Sequence, residues 1–212
     1  MLRILLMAAV ALSQDDPAAF LKKVEEKALT AKSLRFKAKI KIESPGQTVE
    51  LDAAGSIAGS RFKFTMEGSV AGRITESSAL CDGSKLRLHG AGEPKITDAP
   101  RDAALLRTLL VQGGAFAPLQ SLIASAKPPA CSDIKFAADA RIGDRDAKVL
   151  TFTIAAEGDE KKGSGTLWID AATLALLKRE VKGAAGTVTE TYVEWTVDED
   201  LKDDGFALPK DK

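Results

Sequence analysis

The sequence predicts an α+β protein. Its main element is a curved antiparallel sheet of about ten strands that forms an unclosed β-barrel, with an N-terminal helix and mid-chain helices as a lid. Most of the chain consists of short runs in which apolar and polar residues alternate, separated by glycine-containing turns. Helical periodicity is confined to the N-terminus and to one mid-chain region. Strands and helices do not alternate along the chain, as they do around a parallel sheet.

The composition predicts one domain and argues against several functions. The chain has 212 residues, 45% hydrophobic and 28% charged, so residues 14–212 can bury the core of a single domain. Its 30 Lys and Arg balance 30 Asp and Glu, so it lacks the positive field with which nucleic-acid binders collect phosphates. With one His and no ligand spacing, we expect no metal, no cofactor and no catalytic residue.

Residues 1–13, MLRILLMAAVALS, have the pattern of a secretory signal peptide. Arg3 precedes an apolar run, and the small residues Ala11 and Ser13 precede an expected cleavage before Gln14. The alternative is a buried N-terminal helix or strand. The run is shorter than the roughly 20 apolar residues that cross a bilayer. We therefore expect an exported mature chain.

The first mature segment predicts a helix followed by a strand. Asp16 and Pro17 supply an N-cap and a first-turn proline, and apolar residues then recur on one face through residues 15–34. From Leu34 the residues alternate, which predicts a strand with one buried face and one basic face. The basic residues are Arg35, Lys37, Lys39 and Lys41. They form either a solvated face or a contact for anionic headgroups or an acidic partner.

Further alternating runs predict a five-strand meander before the mid-chain helices and about five strands after them. The meander continues through 49–55, 61–67, 73–81 and 85–89. Two helices are expected between Asp98 and Ala126. The first has an apolar stripe and ends at Gly113-Gly114, which we interpret as a hinge, and the second spans 118–125. The later strands are expected at 133–142, 148–156, 163–170, 174–182 and 187–197.

Three segments together resemble the outer-membrane lipoprotein carrier superfamily (LolA/LolB-like, lipoprotein-sorting proteins). They are RFKFTMEG, CDGSKLRLHG, and GTLWIDAATLALLKREV with the terminal GFALP. The resemblance implies a periplasmic monomer, an unclosed barrel capped by helices. Its apolar interior shields the acyl chains of a lipoprotein or another lipid between membrane-bound donor and acceptor proteins.

The chain departs from the family pattern at one triplet. The family often places an arginine between two aromatics, whereas here Lys63 stands between Phe62 and Phe64, with Arg61 close by. We therefore take Arg61 and Lys63 as candidate headgroup contacts. A cavity between sheet and helices is expected to be lined by seven apolar residues: Phe36, Ile40, Phe62, Phe64, Met66, Leu105 and Leu109. The alternative is that these side chains form a closed core.

The remaining candidates concern the two cysteines and a second function. Cys81 and Cys131 form either a disulfide or two free thiols. A hydrolase using Cys81 and His89 is disfavoured, because proximity in a hairpin does not supply an oriented base. The alternative to a carrier is a periplasmic sensor or interaction module that binds a protein partner with the same scaffold, as the carrier-like domain of a regulator of envelope stress does.

Overall fold

The computed structural model describes residues 16–70, 73–90, 92–100, 103–124, 130–155, 163–201 and 203–209. The predicted signal peptide, residues 1–13, lies outside the described residues. No helix within the described ranges has both the length and the hydropathy needed to cross a bilayer.

The elements follow the predicted order. The helices are α1 (Pro17–Thr30), α2 (Ala103–Gly113) and α3 (Ala117–Ala124), with a 3₁₀ turn at Asp203–Phe206. The first six strands are β1 (Ser33–Ser44), β2 (Gln47–Ala58), β3 (Arg61–Val70), β4 (Arg73–Cys81), β5 (Lys85–Gly90) and β6 (Gly92–Asp98). The others are β7 (Ala130–Phe136), β8 (Ala140–Ile142), β9 (Arg145–Ala155), β10 (Gly163–Asp170), β11 (Leu176–Gly183) and β12 (Gly186–Val197).

All strands belong to one antiparallel sheet of 12 strands, in the order β6-β5-β4-β3-β2-β1-β12-β11-β10-β9-β7, with β8 paired to β9. The pairing of β1 with β12 joins the two meanders at the centre. The last strands in this order, β6 and β7, are not paired with each other, so the sheet is unclosed. The predicted fold class is confirmed.

Two parts of the sheet differ from the sequence prediction. Strand β6 was not predicted, because all seven of its residues are exposed and show no apolar alternation. Its proline, Pro94, is tolerated because β6 is an edge strand. The single strand expected at 133–142 is divided into β7 and β8, which both pair with β9 and are separated by residues 137–139.

The first helix begins as expected but ends earlier. The Asp16 carboxylate accepts a hydrogen bond from the Ala18 amide at 3.1 Å, which caps the N-terminus. The helix ends at Thr30 because Ala31 has an extended backbone, with ψ of 137°. The buried Arg107 guanidinium donates to the carbonyl oxygens of Ala28 and Ala31, which satisfies the end of α1 from α2.

The concave face of the sheet holds the core, and the three helices cover it. Alternate residues of β1 are buried while the intervening ones are exposed. An aromatic cluster from β1, β3 and β12 lies at the centre, with ring centroids 5.4–6.4 Å apart. Its members are Phe36, Phe62, Phe64, Tyr192 and Trp195.

Gly55 makes the packing of this cluster possible. A Cβ atom at this position of β2 would lie 2.3 Å from the Phe36 ring and 2.6 Å from the Phe64 ring. We expect Gly55→Ala to lower the free energy of unfolding by about 1–3 kcal/mol, because the two rings must leave their packed positions. Urea unfolding followed by Trp fluorescence measures the change.

Gly92→Ala is the matched control. This glycine lies in the exposed edge strand β6, and nothing is within 4 Å of its added Cβ, so we expect a change within about 0.5 kcal/mol. Equal effects of the two substitutions would show that the ring contacts do not limit stability.

Candidate functional site

The predicted cavity residues lie in the core, with one exception. Five of them are at most 2% exposed, namely Phe36, Ile40, Phe62, Phe64 and Leu109. Met66 is partly buried against the same cluster. The prediction for Leu105 is wrong: its side chain is 41% exposed, because α2 turns Leu106, Leu109 and Leu110 toward the sheet instead. The described core residues contact one another, so the interior is closed in this structure.

The candidate headgroup residues do not border the interior. Lys63 is exposed on the convex face, on the side of β3 opposite to the buried Phe62 and Phe64. The Arg61 guanidinium lies 5.3 Å from the ring centroid of Phe206. Arg61 therefore contacts the C-terminal segment through a cation–π interaction.

The α2–α3 turn is fastened to the sheet by a buried carboxylate. Glu190 on β12 is 1% exposed, and its Oε2 accepts hydrogen bonds from the Ala115 amide at 3.1 Å and the Tyr192 hydroxyl at 2.8 Å. Gly114 precedes Ala115 with φ of +88°, and a Cβ there would lie 2.3 Å from the Glu190 carboxylate. Only glycine allows the turn to approach the carboxylate this closely.

A chain of polar contacts extends from this carboxylate to the surface. Arg179 faces Glu190 across β11 and β12, with 3.8 Å between its Nη1 and the carboxylate. Its Nη2 donates to the Gln112 carbonyl at 3.3 Å, and the Gln112 amide donates to Glu25 of α1 at 2.8 Å. We call Glu25, Gln112, Arg179, Glu190 and Tyr192 the polar network. It connects α1, the α2–α3 turn and two strands.

The electrostatics of the polar network are only partly balanced. Burial raises the pKa of Glu190 above its ordinary value, although Arg179 and the two hydrogen bonds act in the opposite direction. Burial also raises the pKa of Tyr192 well above its ordinary value, and the charge of Glu190 adds to this. The buried Nε of Arg179 has no hydrogen-bond partner among the described residues.

The polar network was not predicted from the sequence. The available signal was the alternation in β12, which places Glu190 in the same inward register as Val188 and Tyr192. A carboxylate in an inward register requires a partner, and the partner is Arg179 on the neighbouring strand.

A surface cleft opens at the β7 edge of the sheet. It has a volume of about 410 Å³ and lies between α1, the end of α2 and β7. Its apolar lining comes from Ala18, Leu21 and Ile134, whereas Lys22 is a charged side chain at the cleft. Glu25 and Gln112 of the polar network also line it, so the cleft reaches the contacts that hold the helices in place.

Both cysteines are free in the structure, which does not contain the disulfide considered from the sequence. Burial raises the pKa of both thiols, so they are weak nucleophiles. Cys131 lines the cleft, whereas Cys81 is fully buried in the core. His89 lies opposite Ser78, three positions along from Cys81 and on the other face of the sheet. The geometry therefore does not assemble a Cys–His pair.

No cluster of three or more His, Cys, Asp or Glu suited to a metal ion occurs in the part of the chain that the structure describes.

No protein-family model and no curated protein matches the sequence, but solved structures do. An uncharacterized conserved protein from Thermus thermophilus has 14% identity over 92% of this chain and 96% of its own, with a TM-score of 0.55. The lipoprotein LppX of Mycobacterium tuberculosis has 12% identity over 88% of this chain and 98% of its own, with a TM-score of 0.49. A chain of the Pseudomonas aeruginosa MucA/MucB complex has 13% identity over 92% of this chain, which spans 61% of its length, with a TM-score of 0.49.

At these identities the likeness establishes the fold alone. The fold is an open antiparallel sheet with helices on its concave face, and the Thermus thermophilus protein shares it. The fold class expected from the sequence is confirmed.

The raised pKa of Glu190 predicts a pH dependence of stability. The folded state binds the Glu190 proton more tightly than the unfolded state, so this group's contribution to stability falls as pH rises from about 4.5 through the folded pKa. We expect the free energy of unfolding of the wild type, minus that of Glu190→Gln, to decrease over that range. Urea titrations at several pH values measure it.

Glu194→Gln on the same strand is the control, because hydrogen bonds from Lys37 and Arg35 lower the pKa of this carboxylate. The difference between the wild type and this variant should therefore not decrease as pH rises above about 4.5. The free energy of unfolding of the wild type minus that of Glu190→Gln could instead increase with pH. That result would show that Arg179 affects the pKa of Glu190 more strongly than burial does.

Proposed function

We propose that the protein is a non-enzymatic carrier that binds an acyl chain of a lipoprotein or another lipid between its sheet and its helices. The observation that carries this proposal is the cleft at the unclosed edge, which combines an apolar wall with the outer end of the polar network. Pockets of roughly 300–1,000 Å³ hold small ligands, and the cleft falls within this range at about 410 Å³.

Loading requires the helices to move, because the described interior is filled by its own side chains. An acyl chain enters beside α1 and β7, separates Gln112 from Glu25, and displaces the α2–α3 turn from Glu190. Gly114 lies at that turn and tolerates the backbone change. The core residues that then face the chain are those predicted to line a cavity, apart from Leu105.

The free-energy balance favours long chains. Each methylene moved from water into an apolar interior contributes about 0.8 kcal/mol, so sixteen carbons contribute about 13 kcal/mol and four about 3 kcal/mol. Leaving a buried polar group without its partner costs about 1–3 kcal/mol, and opening separates several such groups. A long chain offsets this cost and a short chain does not.

The proposed setting follows from the sequence. The signal-peptide pattern of residues 1–13 and the resemblance to lipoprotein carriers support a periplasmic location. In that setting the protein acts as a monomer that receives its lipid from one membrane-bound protein and delivers it to another.

Filling the cleft tests the proposal directly. Ala18 is exposed on α1 and lines the cleft, so Ala18→Trp places an indole across its mouth. We expect this substitution to weaken binding of a fluorescent sixteen-carbon fatty acid by at least about tenfold, because it occupies the space that the chain needs. Fluorescence titration gives the dissociation constant. Unlabelled hexadecanoate should displace the probe, and butyrate should not.

Ala19→Trp is the control, because Ala19 is the adjacent exposed residue and does not line the cleft. Its affinity should equal that of the wild type. A wild-type protein that binds no probe, or equal affinities for all three proteins, would refute binding through the cleft.

Cys131 provides a second readout of the same event. Its thiol lines the cleft, so a bound chain should shield it. We expect hexadecanoate to slow maleimide modification of Cys131 by at least about fivefold. Butyrate should leave the rate unchanged, because its short chain buries too few methylenes to open the helices. Mass spectrometry of modified peptides follows the reaction, and Cys131→Ser identifies the signal. Unchanged labelling at saturating hexadecanoate would contradict the proposed route.

A further inference from the structure

The strand register arranges the convex face in charged rows that cross the sheet. Arg35, Ser56, Lys63, Leu80 and Arg87 lie opposite one another on β1 to β5 and form the basic row. The middle row lies two positions along each strand from the basic row. It consists of Lys37, Ala54, Thr65 and Ser78. Two positions further, Lys39, Asp52, Glu67 and Glu76 form the acidic row.

A groove runs along β2, with Ala54 of the middle row as its floor and Lys37 of β1 and Thr65 of β3 on either side. Two adjoining depressions of about 220 and 380 Å³ share Lys37, Ala54 and Thr65. Arg35 and Lys63 line the first depression. Carboxylates line the second: Asp52, Glu67 and Glu76. The groove therefore has a cationic half and an anionic half that meet above Ala54.

The anionic half places like charges together, and Lys39 of β1 lies opposite the first of them, Asp52. Asp52, Glu67 and Glu76 are directly opposed on three adjacent strands, and like charges in such positions repel. Among the described residues, none of these carboxylates forms an ion pair, and neither does Lys63. By contrast, Arg35 and Lys37 on β1 are paired with Glu194.

An exposed apolar side chain completes the groove. Val193 of β12 borders the anionic half and is 61% exposed. Val193 therefore offers an apolar contact beside the carboxylates.

The length and width of the groove favour an extended polypeptide segment over a lipid headgroup or a helix. Four residues along a strand separate the two charged rows, a distance of about 13 Å. A single zwitterionic headgroup, in which a few bonds separate the charges, does not reach both. The side chains of β1 and β3 that flank the groove start about 10 Å apart, and a helix with its side chains is about 10–12 Å wide. An extended segment fits this width.

We propose that this groove docks an extended segment of a partner protein that carries an acidic and a basic side chain four positions apart. In an extended chain, residues i and i+4 point to the same side and lie about 13 Å apart. The acidic side chain contacts Lys63 and Arg35, and the basic one contacts the three carboxylates. The groove lies on the face opposite to the helices, so this interaction is separate from acyl-chain binding.

The test uses a capped seven-residue peptide of Thr and Ser with one Glu and one Lys four positions apart. NMR titration of the ¹⁵N-labelled full chain should show saturable shifts at outward residues of β1 to β4, with millimolar affinity, because exposed ion pairs are individually weak. Peptides with two Glu or two Lys at the same positions should bind at least about fivefold more weakly.

Lys63→Glu should weaken binding of the Glu/Lys peptide by at least about fivefold, whereas Lys135→Glu, the same charge change on exposed β7, should leave it unchanged. Both variants should bind the sixteen-carbon probe like the wild type, which separates this test from that of the carrier function.

Three results would overturn the proposal. Equal or tighter binding of the two-Lys peptide would show an acidic patch without a cationic half. Shifts at the helices or at β7 would place the peptide elsewhere. Binding of phosphatidylcholine vesicles that requires Lys63 would assign the groove to a lipid surface.

Discussion

The structure depends on one constraint: an open sheet with an apolar concave face requires a cover. β6 and β7 are not paired with each other, so the sheet does not close and bury its own inner residues. Three helices supply the cover by turning residues such as Phe20, Leu109 and Leu119 toward the sheet. Because hydrophobic packing is largely non-directional, another apolar surface can take the place of the helices. The cover that stabilises the fold is therefore also what an acyl chain would displace.

The polar network determines where that cover sits. Hydrophobic contacts alone permit the helices to slide, whereas Glu190 accepts a hydrogen bond from one particular amide, that of Ala115. The network is incompletely compensated, because Arg179 is 3.8 Å from the carboxylate and its Nε lacks a partner among the described residues. A partly satisfied buried network fixes a position with less stability than a fully satisfied one. This balance is compatible with the opening of the cover that the proposed carrier function requires.

The sequence predicted the strands whose one face is buried, such as β1, because alternation records the difference between the two environments. It missed β6, which is exposed on both faces. It predicted the apolar stripe of α2 but not its direction, so Leu105 was assigned to the interior although it is 41% exposed. The pairing of Arg179 with Glu190 depends on the register of β11 against β12, which no local pattern reports. The cleft also arises only when α1 meets β7, far away in sequence.

The two proposed sites lie on opposite faces of the same strands. In β1, Phe36 belongs to the core while Arg35 and Lys37 line the convex groove. In β12, Glu190 and Tyr192 face inward, whereas Glu194 pairs with Arg35 and Lys37 outside. The pairing of these strands shifts register between Lys37 and Ala38, and such irregularities change local twist with little loss of pairing. A partner segment that draws Arg35 away from Glu194 acts on the strand that carries the Glu190 contact. The proposed docking and the proposed opening thus both involve β1 and β12, the central pair of the sheet.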